Sequence, residues 1–144
     1  MGNKPSTAVA VSSSDIRVLL GGGCSMISTL PAAQQGCLIA GTIPVSEETA
    51  TVSTLLAGQR SRRRLIVYGA SSSDDTALRK AEQLISLGFA DVFVYRGGLL
   101  EWLLLREVYG ADWYGVTGEE PPDLLTLEAK SKLAGAGAVV QVHA

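Results

Sequence analysis

Residues 65–102 read LIVYGASSSDDTALRKAEQLISLGFADVFVYRGGLLEW, from Leu65 to Trp102. An apolar run, Leu65–Tyr68, enters a loop of small and polar residues, Gly69–Thr76, which opens a helix with one apolar face. Gly88 is the expected end of that helix, and a second apolar strand follows at Val92–Tyr95. A strand that passes through such a loop into a helix aims backbone N–H groups at one point, where many folds hold an active site.

The same alternation of strand and helix runs along the chain. We expect, in order, a strand at 9–11, a helix at about 14–20, a strand at 24–30, a short apolar segment at 37–40, a helix at 46–58, the strand at 65–68, a helix ending at 87, the strand at 92–95, a helix at 99–109, a loop at 112–122 and a last helix at 123–133. Such alternation is typical of an α/β fold with a mostly parallel sheet. The length of 144 residues indicates one domain with a substantial core.

The composition argues against several kinds of site. The chain has one histidine, His143, beside its C-terminus, so a Ser-His-Asp or Cys-His device would need the tail folded back into the site. Two cysteines, Cys24 and Cys37, are too few for a disulfide framework, and a zinc site of the usual type lacks ligands. We therefore expect a reducing compartment, no metal and no cofactor.

Charge and hydropathy limit the partners. Positions 1–64 hold six basic and three acidic residues, whereas positions 65–144 hold six basic and eleven acidic residues, for a net charge of −2. This balance does not favour nucleic acid as a partner. No apolar run reaches the roughly 18–20 residues that a membrane span requires.

The N-terminus offers a different route to a membrane. Met1 to Ser6 matches the N-myristoylation pattern, with Gly2 as the acylated residue. One myristoyl chain binds a bilayer only marginally, so a second signal would be needed, and the basic cluster Arg60–Arg64 is the available one. A solvated loop is the simpler interpretation of that cluster. We expect a cytoplasmic protein and leave open a tether through Gly2.

Several segments resemble the rhodanese-like family, which includes sulfurtransferases and related cell-cycle phosphatases. Leu38–Val45 is similar to a turn of that family, Leu65–Gly69 to the strand that ends on its catalytic cysteine, and Gly97–Trp102 to its Gly-Gly-x-x-x-Trp ending. The resemblance implies a three-layer fold with an about five-stranded, mostly parallel sheet and helices on both faces. It divides the chain into a flexible N-terminus at 1–8, a rhodanese-like domain at 9–110, and a C-terminal loop, short helix and tail at 111–144.

The sequence departs from the family at the positions that carry its chemistry. The resemblance places the nucleophilic cysteine on Gly69 and the family's Asp-x-Arg on Ser28–Leu30. The histidine of the turn falls near Leu38, and the arginine that closes the loop in phosphatase-like members falls on Asp75. Glycine has no side chain to hold a persulfide or a phosphoryl group.

These departures predict an inactive rhodanese-like domain that serves as a protein-binding or scaffolding module. The degenerate loop comprises Gly69, Ala70, Ser71, Ser72, Ser73, Asp74 and Asp75, and the candidate binding residues are Ser71, Ser72, Ser73, Asp74, Asp75 and Thr76. Turn formation and helix capping are the simpler interpretation of these serines and aspartates.

Two alternatives stay open at the level of sequence. A relocated cysteine, with Cys37 as the candidate, would retain thiosulfate sulfurtransferase-like chemistry, although free cysteines are most often small buried hydrophobes. A small-anion-binding α/β module is the other alternative and rests on fold analogy. Beyond the matched region, Trp113 and Tyr114 either form a partner surface or cover one end of the sheet.

Overall fold

The computed structural model describes residues 8–57, 64–121 and 123–127. Within these ranges the strands are β1 (Val9–Val11), β2 (Ser25–Ser28), β3 (Cys37–Ile39), β4 (Leu65–Tyr68), β5 (Val92–Tyr95) and β6 (Val116–Gly118). The α-helices are α1 (Ser13–Gly21), α2 (Val45–Ala57), α3 (Thr76–Leu87) and α4 (Gly98–Tyr109), and short 3₁₀ turns occupy Ala32–Gln34 and Leu124–Leu127. Gly2, Arg60–Arg63 and His143 lie outside the described residues.

A parallel sheet in the order β1-β5-β4-β2 forms the middle layer. Strand β4 lies between β5 and β2, with Leu65 opposite both Val92 and Ser25. The predicted α/β class with a mostly parallel sheet is confirmed. The sheet has four strands among the described residues, whereas about five were expected, and beyond β2 a single parallel bridge joins Met26 to Thr42. The segment at 37–40 instead pairs with β6 in a separate antiparallel pair.

The apolar run of β4 reflects burial on both faces of the sheet. Ile66 and Tyr68 pack with α1 and α4, whereas Leu65 and Val67 pack with α2 and α3. All four side chains are fully buried. A strand between two helical layers cannot alternate apolar and polar residues, and the sequence of β4 agrees with this constraint.

Local signals account for the helices that flank the sheet. Ser12 and Asp15 form a capping box at the start of α1. Gly88 ends α3 in the left-handed conformation, as its position after the apolar stripe predicts. An ion pair of 2.6 Å between Lys80 and Glu48 joins α3 to α2. Among the helices of the described ranges, none is long and apolar enough to cross a membrane.

The segment after α4 is more ordered than the predicted loop at 112–122. It contains β6, and Trp102 Nε1 donates a hydrogen bond of 2.9 Å to the carbonyl of Gly115. Tyr114 packs edge-on against Trp102, with ring centroids 4.9 Å apart, so it covers one end of the core. Trp113 stays exposed, with the Arg17 guanidinium 4.0 Å from its ring centroid. Of the helix expected at 123–133, the structure describes the 3₁₀ turn alone.

Hydrogen bonds of the Tyr68 hydroxyl connect the central sheet to β3 and to the turn that follows it. This hydroxyl accepts a hydrogen bond of 3.1 Å from the Ile39 backbone N–H and lies 2.7 Å from Thr42 Oγ1. Burial raises the pKa of the Tyr68 phenol to about 12, so the group stays neutral and keeps its proton. Because Tyr68 is the last residue of β4, this anchor fixes the strand immediately before the polar loop.

Candidate functional site

The polar loop lies at the carboxyl edge of the parallel sheet, between β4 and α3. Thr29, which follows β2, donates its backbone N–H to the Tyr68 carbonyl over 2.9 Å. The Thr29 hydroxyl also lies 2.7 Å from the Thr76 hydroxyl, at the start of α3. The ends of two neighbouring strands therefore meet at the loop, the usual place for a ligand site in an open α/β sheet.

The carboxylate of Asp74 occupies the centre of the loop. Its Oδ2 accepts a hydrogen bond of 3.1 Å from the Ala70 backbone N–H. Its Oδ1 accepts two more, from the Thr76 backbone N–H over 2.9 Å and from the Thr76 hydroxyl over 2.6 Å. Burial by itself raises the pKa of this carboxyl, but the Thr76 and Ala70 hydrogen bonds and the Arg79 charge together hold it below its ordinary value. The loop is thus closed around an ionised carboxylate.

Gly69 lies directly beneath that carboxylate. A Cβ at this position would come within 2.8 Å of Asp74 Oδ2 and 3.1 Å of Thr29 Oγ1. Asp74 is held by its own hydrogen bonds and cannot move aside without breaking them. A side chain at the position to which the resemblance assigns the cysteine would therefore require the Asp74 carboxylate to shift.

Helix α4 holds the loop from the opposite side. The Leu99 backbone N–H donates to the Gly69 carbonyl over 3.0 Å, and the Leu100 backbone N–H donates to the Ala70 carbonyl over 2.8 Å. Gly98 adopts a φ of +71°, and a Cβ there would lie 2.7 Å from the Gly69 carbonyl oxygen and 2.9 Å from the Ser71 backbone nitrogen. The Gly97-Gly98 pair thus permits a tight turn before a closely packed helix.

The other candidate residues divide by exposure. Ser71 is buried, whereas Ser72, Ser73, Asp75 and Thr76 are exposed. Asp75 precedes α3 but makes no side-chain capping bond, so the backbone N–H at the helix start is bound by Asp74 instead. Sequence reasoning named Ser73, Asp74 and Asp75 as possible caps and did not separate them.

Three residues at this site were not predicted from the sequence. Thr29 contacts Thr76, Arg79 lines the cavity, and Gly98 packs against the loop backbone. Thr29 reaches the loop because β2 and β4 pair in register, with Ser28 opposite Tyr68. Arg79 lies one turn into α3 and lines the same cavity as the loop. A parallel pairing of β2 with β4 would have placed Thr29 at the loop, but short strands carry little information about register.

A cavity of about 330 Å³ opens above the loop. Its lining residues are Pro31, Gln34, Ala70, Ser73, Asp74, Asp75, Thr76, Arg79, Thr126 and Leu127. None of these residues is a cysteine or a histidine. The cavity wall carries two carboxylates and one guanidinium, and elsewhere in the described ranges no cluster of three or more metal-ligating side chains forms.

The cysteines lie away from this cavity wall. Cys37, in β3, is buried and lines a neighbouring cavity of about 390 Å³. Burial and the nearby Glu120 carboxylate raise the pKa of the Cys37 thiol, against a smaller opposing effect of Arg106. Cys24 is buried just before β2. A raised pKa disfavours the thiolate, the nucleophilic form of cysteine.

Comparison with known proteins identifies the family. The sequence model of the rhodanese-like domain family matches residues 31–105, which is more than half of the chain. The chain therefore belongs to this family. No curated protein matches the sequence.

Solved structures share the fold. A rhodanese-like domain from Anabaena sp. superposes with a TM-score of 0.55 at 17% identity, covering 99% of this chain and 96% of the other. A Bacillus halodurans protein gives a TM-score of 0.56 at 20% identity and covers 77% of each chain. A thiosulfate sulfurtransferase from Pseudomonas aeruginosa gives 0.54 at 19% identity, over 68% of this chain and 19% of that one. At these identities the likeness concerns the fold alone.

The contact of Gly98 with the loop backbone can be tested by substitution. Gly98→Ala places a methyl group against backbone atoms at a left-handed φ, so we expect the free energy of unfolding to fall by about 2–4 kcal/mol. Urea titration followed by circular dichroism measures the change. Gly21→Ala is the matched control, since no atom lies within 4 Å of its added Cβ. Equal stability of the two variants would contradict the close approach.

Proposed function

We propose that this chain is a catalytically inactive rhodanese-like domain that binds a protein partner through the loop Gly69–Thr76. The observation that carries the proposal is the position of the Asp74 carboxylate against Gly69. The resemblance assigns the family's cysteine to Gly69, and Asp74 Oδ2 lies 2.8 Å from where a side chain there would begin. The rhodanese-like fold is thus present, while the Asp74 carboxylate lies close to where the reacting side chain would begin.

The described thiols support the same conclusion. Sulfur transfer requires a thiolate that an incoming anion can reach. Cys37 is buried, its pKa is raised, and it lines a different cavity from the one above the loop. Asp74 and Asp75 add negative charge where an anionic sulfur donor would approach. Among the described residues, neither cysteine lines the cavity above the loop.

The loop has the properties of a preorganised binding surface. Its backbone is held between Asp74 on one side and the N-terminus of α4 on the other. Ser72, Ser73 and Asp75 project from this fixed backbone and are exposed. A rigid loop loses little conformational entropy when it binds, which favours affinity. These three side chains are the proposed contacts with a partner.

Site-specific crosslinking tests the loop as a surface. A photoreactive amino acid at Ser72 should capture a defined protein in the native cell, whereas the same residue at Ser53, exposed on α2, should not. With that protein purified, the triple change Ser72→Ala, Ser73→Ala and Asp75→Ala should weaken binding about tenfold or more in calorimetry. The matched control is Ser53→Ala with Thr54→Ala. Equal loss in both variants, or equal capture at both positions, would contradict the proposal.

A membrane tether through Gly2 is a separate part of the proposal. It is supported by the match of Met1–Ser6 to the acylation pattern and by the basic cluster at 60–64 as a second signal. A single acyl chain gives weak binding, and clustered arginines add attraction to anionic lipids. Together they would hold the domain reversibly at a cytoplasmic membrane surface, where it would meet its protein partner.

Intact-mass measurement of the protein from its native cell decides whether Gly2 carries the acyl group. We expect the mass of the chain without Met1 and with one myristoyl group. A Gly2→Ala variant should lose the added mass and shift from the membrane fraction to the supernatant. A free amine on Gly2 of the native protein would end the tether hypothesis and leave the loop proposal untouched.

A further inference from the structure

We infer that the loop Gly69–Thr76 is an anion site kept closed by the chain's own carboxylate, with Asp74 as an internal ligand. The inference does not depend on a protein partner. It concerns the donors that point into the loop and the group that now binds them. Removing the Asp74 carboxylate should open the site to a small oxyanion such as sulfate or phosphate.

The donors of the loop converge as they would on a bound anion. The Ala70 and Thr76 backbone N–H groups, together with the Thr76 hydroxyl, all bind the two oxygens of one carboxylate, at 2.6–3.1 Å. Hydrogen bonds of this kind, from backbone N–H groups to a negatively charged oxygen, are about twice as strong as neutral ones. A sulfate or phosphate oxygen has the same acceptor character as a carboxylate oxygen. The loop is therefore built for a negative charge and has one.

Ser71 provides an independent indication of an unfilled site. The residue is buried, with a relative exposure of 5%, and its Oγ has no hydrogen-bond partner among the described residues. Ser71 lines a cavity of about 10 Å³ together with Gly69 and Asp74. Buried hydroxyls almost always have a partner. Its hydroxyl is an unused donor in the small cavity that Asp74 also lines, and an anion larger than a carboxylate would offer it an oxygen.

The cavity above the loop supplies space and charge for such an anion. Asp74 lines both the small cavity near Ser71 and the cavity of about 330 Å³ that opens to solvent. Arg79 lies on the wall of the larger cavity, and its charge already lowers the pKa of Asp74. Without the Asp74 carboxylate, Arg79 and the freed N–H groups would face the same space. Asp75 remains as an opposing charge at the rim, which limits the affinity.

The test compares two neighbouring aspartates. Asp74→Ala removes the internal ligand, and Asp75→Ala removes an equal charge that makes no side-chain capping bond. Titration of each purified full-length variant with sodium sulfate, and separately with sodium phosphate, is followed by calorimetry and by ¹H–¹⁵N spectra. We expect Asp74→Ala to bind sulfate about tenfold or more tightly than the wild type and Asp75→Ala. The Ala70 and Thr76 amide signals should shift as the site fills.

A second substitution identifies the site within Asp74→Ala. Adding Ser71→Ala should weaken sulfate binding several-fold, because the spare hydroxyl is lost. Should Asp74→Ala fail to fold, Asp74→Asn keeps the side-chain size while removing the charge, and its sulfate affinity should still exceed that of Asp75→Ala. Equal sulfate affinity of the Asp74 and Asp75 variants would overturn the inference, as would shifts confined to amides outside the loop. Neither result would bear on the partner contacts at Ser72, Ser73 and Asp75.

Discussion

The hydrogen bonds that converge on the Asp74 carboxylate determine the conformation of the loop between β4 and α3. They satisfy the Ala70 N–H, the first N–H of α3 and the Thr76 hydroxyl with one group. They also place the carboxylate over Gly69, where an added Cβ would lie 2.8 Å from Asp74 Oδ2. In our proposal, a carboxylate of the chain itself takes the place of a bound anion in the loop. These hydrogen bonds hold the loop backbone, and a side chain at position 69 would require the carboxylate to shift.

The structure around the loop is maintained by contacts that do not involve a side chain at position 69. Gly98 packs against the loop backbone, and the first N–H groups of α4 bind its carbonyls. Tyr68 anchors the preceding strand through its buried hydroxyl. These contacts depend on small residues and a strand buried on both faces. Under the proposal that this chain is an inactive member of the family, these contacts maintain the rhodanese-like fold without a cysteine in the loop.

The parts of the fold that depend on local signals were predictable from the sequence. The run Leu65–Tyr68, the capping residues of α1 and the Gly88 stop of α3 each act within a few residues, and the structure confirms them. Strand β6 was missed because its three residues pair only with the distant β3. The sequence also could not predict that Asp74, and not Asp75, binds the N–H at the start of α3, because this depends on which carboxylate points into the loop. Residue types alone leave the two equivalent.

The sulfur-transfer activity of the purified protein tests the central claim most directly. The protein is incubated with thiosulfate and cyanide, thiocyanate is measured, and an active thiosulfate sulfurtransferase is assayed alongside. An inactive domain with its loop filled by Asp74 predicts no thiocyanate above the buffer rate and no gain of a sulfur atom in the mass of the protein. Thiocyanate formation that is lost in Cys37→Ser would contradict the account and would place the chemistry on the buried thiol of β3 instead.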